Sequence, residues 1–145
     1  MRSATFSRGG GQTARPIGVW ILTICAALFA GILPLIGSLA AVFVFPEMGM
    51  STPLMLVAAG LSLAIFGSAV GAWQGSDGAR LALVVLITLF YLLLSITNFY
   101  NATNDFLPAD VQRKAAMTGI RSLLWIPLYL WYFLRAKTVA WYQPY

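Results

Sequence analysis

Three long stretches of the chain contain no charged residue. They lie between Arg15 and Glu47, between Glu47 and Asp77, and between Arg80 and Asp105. A helix needs about 20 apolar residues to cross the hydrocarbon core of a bilayer, and each stretch is longer than this. The pattern therefore predicts an all-α membrane protein.

Turn and cap signals divide this apolar sequence into four predicted transmembrane helices. Their approximate bounds are residues 17–45, 53–73, 81–100 and 110–134. Pro53 suits the first turn of the second helix, and Pro108 with Asp110 marks the start of the fourth. The QGSDG sequence of residues 74–78 indicates a tight turn. Pro34 predicts a kink in the first helix, because proline cannot donate the hydrogen bond that its turn requires.

The basic residues predict the orientation of these helices. With four spans both termini lie on one side of the membrane. That side would carry Arg2, Arg8, Arg15, Arg80, Arg135 and Lys137, and the other would carry Arg113, Lys114 and Arg121. The excess of basic residues favours cytoplasmic termini. The domain prediction is a flexible basic tail over residues 1–15, a transmembrane domain over 16–136 and an interfacial aromatic tail over 137–145.

Composition narrows the chemistry that the chain can perform. Charged residues make up only 9% of the sequence, against about a quarter in soluble domains. There is no histidine, which excludes a histidine-ligated haem or metal. The four acidic residues lie in predicted loops or at helix ends, and no catalytic dyad, phosphate-binding loop or nucleophile elbow is present. We therefore predict no enzymatic activity and no cofactor, although a lipid, quinone or pigment in an apolar groove stays possible.

Small residues recur along one face of the second predicted helix. They are Gly60, Ala64, Gly67 and Gly71, of which the last two form a GxxxG pair. Small residues allow membrane helices to approach closely. A matching face on the first helix carries Ala26, Ala30 and Gly37. This face either packs inside the bundle or docks on another copy or a larger partner.

Polar residues form a narrow stripe along the third predicted helix. They are Thr88, Tyr91, Ser95 and Asn98. In lipid such groups turn inward and hydrogen-bond between helices, so the stripe is either interhelical glue or the lining of a polar path. The fourth predicted helix carries a second stripe, formed by Thr118, Arg121, Trp125, Tyr129 and Tyr132.

Arg121 is a single charge inside the fourth predicted helix. Arg135 lies about 21 Å further along that helix, whereas the hydrocarbon core is about 30 Å thick. If Arg135 marks the cytoplasmic edge of the membrane, Arg121 lies several ångströms inside the opposite leaflet. Its charge is tolerated if the side chain snorkels, if it forms a latch with Asp105 or Asn98, or if it contacts a substrate or ion.

Two segments resemble a known type of protein. The first, RPIGVWILTICAALFAGILPL from Arg15, resembles the Arg-Pro-(Leu/Ile)-Gly-Val entry of many small bacterial four-span proteins. The second, WIPLYLWYFLRAKTVAWY from Trp125, resembles the ending of an uncharacterised bacterial four-helix inner-membrane protein family. Ala136 stands at the family's usual serine, and Thr138 where a basic residue is usual. The resemblance implies a four-helix inner-membrane topology, and the family has no known activity that can be carried over to this chain.

These features predict a non-catalytic subunit. We expect a small accessory or scaffold protein that contacts membrane lipids and packs against a larger membrane complex or its own copies. The short basic tail favours the anionic inner leaflet over nucleic acid as its target. The alternative is a small channel or transporter whose path uses the polar stripes of the third and fourth helices.

Overall fold

The computed structural model describes residues 16–44 and 52–142, and these ranges contain helices and no strand. The predicted basic tail, the Phe45 end of the first predicted helix and residues 143–145 lie outside them. The described helices are α1 (Ile17–Phe43), α2 (Thr52–Trp73), α3 (Asp77–Ala102), α4 (Ala109–Leu134) and α5 (Ala136–Tyr142). The all-α prediction is confirmed.

Three of the described helices are long and apolar enough to cross a membrane. The candidate spans are Ile17–Phe43, Met55–Trp73 and Asp77–Ala102. By length and composition the chain is thus a multi-pass membrane protein. The helix α4 is equally long, but Arg121, Pro127 and several aromatic residues with polar groups lower its mean hydropathy.

The sequence predicted a kink in α1 at Pro34. The structure has a π-helical segment just before Pro34 instead. Residues Ala26–Ile32 adopt a π-helical conformation between the α-helical segments Ile17–Cys25 and Leu33–Phe43. Pro34 has no N–H to donate to the carbonyl four residues earlier. The wider π-helical turns therefore occupy the segment in which the regular hydrogen-bond ladder is interrupted.

The α1 and α2 helices approach each other closely at Gly31. A Cβ atom added to Gly31 would lie 3.1 Å from Cβ and 3.3 Å from Cα of Phe66. Ala26 and Ala30 are fully buried beside this contact, whereas Gly37 is exposed. The small-residue face of α1 thus packs inside the bundle along its first half.

The turn between α2 and α3 is shorter than predicted. Gly75 has a positive φ of 91°, which glycine adopts without steric cost. The Ser76 hydroxyl then accepts a hydrogen bond from the Ala79 N–H at 3.3 Å, and Asp77 occupies the first turn of α3. Because Ser76 caps the helix and Asp77 complements its dipole, α3 begins before the predicted residue 81.

The helices form a bundle in which each packs on the next. The helix α4 runs back along α3, and its second half also closes on α1 through Tyr129 and Tyr132. The short helix α5 packs on the end of the bundle. The buried apolar side chains that join these helices include Val19, Leu22, Ile65, Ala69, Leu83, Ile87, Tyr91, Tyr129 and Phe133.

Candidate functional site

Two side-chain hydrogen bonds that join different helices, donated by Arg80 and by Tyr142, lie at one end of the bundle. This end, which we call the Arg80 end, comprises the first turns of α1, the turn at residues 74–76, the first turn of α3, the last turn of α4 and all of α5. Trp20 and Trp73 join α1 to α2 there, with ring centroids 4.0 Å apart. The opposite end carries the loop at residues 103–108.

Arg80 is the central residue of this end. Its side chain is only 3% exposed. Its Nε and Nη2 atoms both lie 2.7 Å from Oδ1 of Asp77, and its Nη1 atom donates to the Phe133 carbonyl at 2.6 Å. Arg80 therefore links the start of α3 to the end of α4.

Helix geometry explains why Arg80 binds the Phe133 carbonyl. The α4 helix ends at Leu134, and Arg135 has an extended conformation, so this carbonyl has no donor within its own helix. A guanidinium also complements the negative end of the α4 dipole, as Asp77 complements the positive end of α3. Asp77 thus neutralises the charge of Arg80, and Arg80 donates a hydrogen bond to a carbonyl at the end of α4.

Helix α5 is held on the bundle by a second contact of this kind. The Tyr142 hydroxyl donates to the Ala72 carbonyl, in the last turn of α2, at 2.9 Å. The Arg80 guanidinium lies 5.5 Å from the centroid of the Tyr142 ring. Thr138 is also fully buried. The predicted interfacial tail over 137–145 is therefore a helix from Ala136 to Tyr142 that buries two of its side chains.

A third side chain binds a carbonyl in the middle of the bundle. The Tyr129 hydroxyl donates to the Leu22 carbonyl at 2.9 Å, close to the start of the π-helical segment. The Tyr129 ring packs between Trp125 and Phe133, with centroid distances of 6.1 Å to each. This aromatic column fixes the position of α4 against α1.

The predicted stripe on α3 consists of side chains that have partners. The hydroxyl of Thr88 and the amide of Asn98 donate to carbonyls of α3 itself, at 2.8 Å and 2.7 Å. Tyr91 is buried and its ring stacks on Trp125. The Ser95 hydroxyl is 2.8 Å from the Tyr91 carbonyl and 3.2 Å from the Gly119 carbonyl of α4. Ser95 thus joins α3 to α4 by a hydrogen bond.

The predicted latch between Arg121 and Asp105 is not formed. Both residues are exposed, and the ion pair within residues 16–44 and 52–142 is Arg80–Asp77. Gly119 and Ser122 are the buried neighbours of Arg121 on α4, and this rotation of the helix turns Arg121 outward. The latch of this bundle lies at its other end, on Arg80.

The predicted small-residue face of α2 points mainly away from the bundle. Gly60, Ala64 and Gly67 are exposed, and a Cβ atom added to Gly60 or Gly67 would meet nothing within 4 Å. Only Gly71 packs internally, where an added Cβ would lie 2.6 Å from Cβ of Ala79. The inward face of α2 is formed instead by Ala59, Ser62, Ile65, Ala69 and Ala72.

The sequence interpretation counted Arg80 only as a charge that sets orientation. The available signal was its spacing from Asp77, since residues three apart on a helix are neighbours. Its second hydrogen-bonding partner, the Phe133 carbonyl, is 53 residues away and has no signature in the sequence.

Two further features bear on what the chain can bind. An open, mainly apolar groove of about 340 Å³ lies between α1 and α2 and is lined by Thr23, Ile24, Ala27, Ala69, Val70, Trp73 and Gln74. In the part of the chain that the structure describes, no group of three or more His, Cys, Asp or Glu side chains is placed to hold a metal ion.

Comparison with known proteins gives no match to a protein-family model, to a curated protein or to a solved structure.

Proposed function

We propose that the chain is a non-catalytic four-span protein of a bacterial inner membrane, with cytoplasmic termini, that acts as a small accessory or scaffold subunit. It packs through α2 against a larger membrane complex or against its own copies. The observation that supports this proposal is the exposure of Gly60, Ala64 and Gly67 on α2, whose opposite face is buried in the bundle.

The physical argument concerns the driving force for association in lipid. Apolar side chains gain little by leaving lipid for another apolar surface, so helices associate through close packing at small residues. Gly60 and Gly67 leave space on α2 that a second helix can enter. Large side chains such as Leu56 and Leu63 lie exposed near these positions and would pack around such a helix.

The proposed fourth span rests on the pairing of α3 with α4. Contacts join these two helices near the Arg80 end, at Phe133, and far along α3, where Ser95 approaches Gly119. A helix that lies along a spanning helix over this length crosses the same layer. The exposed Arg121 would then snorkel to the nearer boundary.

The transport alternative has less support. Thr88, Ser95 and Asn98 already bind backbone carbonyls, so few of their polar groups are left to line a water-filled path. The apolar groove between α1 and α2 also lies apart from this stripe.

The test is purification of the tagged chain from its native membrane in a mild detergent. We expect stoichiometric larger polypeptides or further copies of the chain. The variant Gly67→Leu should reduce their recovery, because the leucine side chain would occupy the space through which a second helix approaches α2. Gly37→Leu is the matched control, since Gly37 is equally open but lies on α1.

Both variants should keep the unfolding temperature of the wild type, because neither new side chain meets the bundle. A wild-type chain that purifies alone as a monomer would refute the subunit proposal and favour transport. Equal recovery of partners by Gly67→Leu and the wild type would exclude the outward face of α2 as the contact.

A further inference from the structure

The Tyr132 hydroxyl is a buried polar group without a partner. The side chain is only 7% exposed, and its Oη atom makes no hydrogen bond. A Cβ atom added to Gly18 would lie 2.2–2.3 Å from the Cζ, Cε2 and Oη atoms of Tyr132. The hydroxyl therefore lies directly against the first turn of α1, with a donor that the bundle leaves unused.

The first turn of α1 has no acidic side chain of its own to complement the helix dipole. Pro16 provides no side-chain cap, and the turn contains no acidic residue. The Val19 N–H donates to the Pro16 carbonyl at 2.9 Å, which leaves the N–H groups of Ile17 and Gly18 without an acceptor within the helix. Together with the helix dipole these groups attract negative charge.

Arg135 places a positive charge beside Tyr132. Its guanidinium lies 4.3 Å from the centroid of the Tyr132 ring and 5.2 Å from that of Trp131, and its Nε donates to Thr138 at 3.2 Å. Of the described acidic residues, Asp77 pairs with Arg80, and Asp105 and Asp110 belong to the opposite end.

The basic charge of this region is therefore not neutralised by the described residues. Lys137 is exposed next to Arg135 along the chain. Trp131 is 64% exposed, and Trp20 and Ile17 are exposed as well. Exposed tryptophans beside basic residues are typical of the level at which lipid headgroups lie.

We propose that the first turn of α1 together with Tyr132, Arg135 and Lys137 binds the headgroup phosphate of an anionic phospholipid. Arg135 and Lys137 supply the positive charge, and the Tyr132 hydroxyl and the first turn of α1 supply hydrogen-bond donors. The acyl chains lie along the exposed apolar residues Ile17, Trp20 and Trp131. Basic pockets between membrane helices are known to bind such headgroups. The site requires a membrane location and does not depend on a partner subunit.

The test measures lipid binding by the full chain in a neutral detergent. Phosphatidylglycerol and phosphatidylcholine are added separately, and the rise of the unfolding temperature gives an apparent affinity for each. We expect the wild type to prefer phosphatidylglycerol. Arg135→Gln and Lys137→Gln should each weaken this preference about fivefold, the effect of one basic residue near an anionic surface. Arg121→Gln, which removes an exposed cation elsewhere, should retain it.

Tyr132→Phe separates the binding site from a purely structural role, because it keeps the ring and removes only the hydroxyl. Without lipid this variant should be as stable as the wild type or more stable, since it removes a buried donor that has no partner. With phosphatidylglycerol it should lose part of the stabilisation that the wild type gains. The Tyr100→Phe control, at an exposed tyrosine, should lose none.

Three results would overturn the proposal. One is an unchanged lipid preference in Arg135→Gln, Lys137→Gln and Tyr132→Phe. Another is an equal loss in Arg121→Gln, which would indicate an effect of net charge alone. The third is the same stabilisation by inorganic phosphate as by phosphatidylglycerol, which would assign the site to a soluble anion.

Discussion

Replacing Arg80 with glutamine is expected to lower the free energy of unfolding by about 2–4 kcal/mol. The change leaves the Phe133 carbonyl without its donor and Asp77 without its counter-ion. Loss of one partner of a fully buried ion pair costs about 3–5 kcal/mol. The side chain of Asp77 is 28% exposed, so water can solvate it in part, and the expected cost is reduced accordingly.

The measurement is thermal or denaturant unfolding in detergent, followed by circular dichroism. Arg80→Lys should be intermediate, because an ammonium keeps the charge but cannot reproduce the planar fork that reaches Asp77 and Phe133 together. Arg121→Gln is the matched control and should change stability by less than about 0.5 kcal/mol. Equal losses in Arg80→Gln and Arg121→Gln would show that Arg80 is not a latch.

Replacing Tyr129 with alanine is expected to cost about 3–5 kcal/mol, the range for truncating a buried aromatic side chain. Tyr129 is 0% exposed, and its ring packs between Trp125 and Phe133 on α4. The truncation leaves a cavity in the aromatic column and removes the hydrogen bond to Leu22. Both losses fall on the contact between α4 and α1.

The conservative variant Tyr129→Phe separates these two contributions. It keeps the ring and removes only the hydroxyl, so about 1 kcal/mol of stability should be lost. Trp131→Ala is the control, since Trp131 is a large aromatic residue on the same helix but mostly exposed. The same unfolding experiment applies. If Trp131→Ala were as destabilising as Tyr129→Ala, burial in this bundle would not be the cause.

Local signals in the sequence were sufficient for the order of the helices. The three long uncharged stretches indicated α1, α2 and α3, and Pro108 marked the start of α4. Ser76 and Asp77 carry a capping signal that the prediction read only as part of a turn, and α3 consequently begins earlier than predicted. Helix capping depends on residues that are adjacent in the sequence, so the start of α3 could have been predicted from Ser76 and Asp77.

The rotation of each helix about its axis could not be read in this way. A helix in a soluble protein reveals its buried face by contrast with polar residues. The α2 helix has apolar or small residues on all sides, with Leu56 and Leu63 exposed and Ile65 and Ala69 buried. Nothing in its sequence therefore showed that Gly60 and Gly67 face outward while Ala69 faces inward.

The amino-acid sequence by itself determined that this protein is helical, that it suits a membrane and that it lacks histidine chemistry. Uncharged length, proline position and composition are local properties, and they need no knowledge of neighbouring helices. Only the tertiary structure decided that Arg80 caps α4, that Tyr142 binds the end of α2 and that Arg121 faces outward. The contacts of Arg80 and Tyr142 join residues that are far apart in the chain. Their acceptors are backbone carbonyls, which every residue carries, so the sequence does not show which carbonyl is bound.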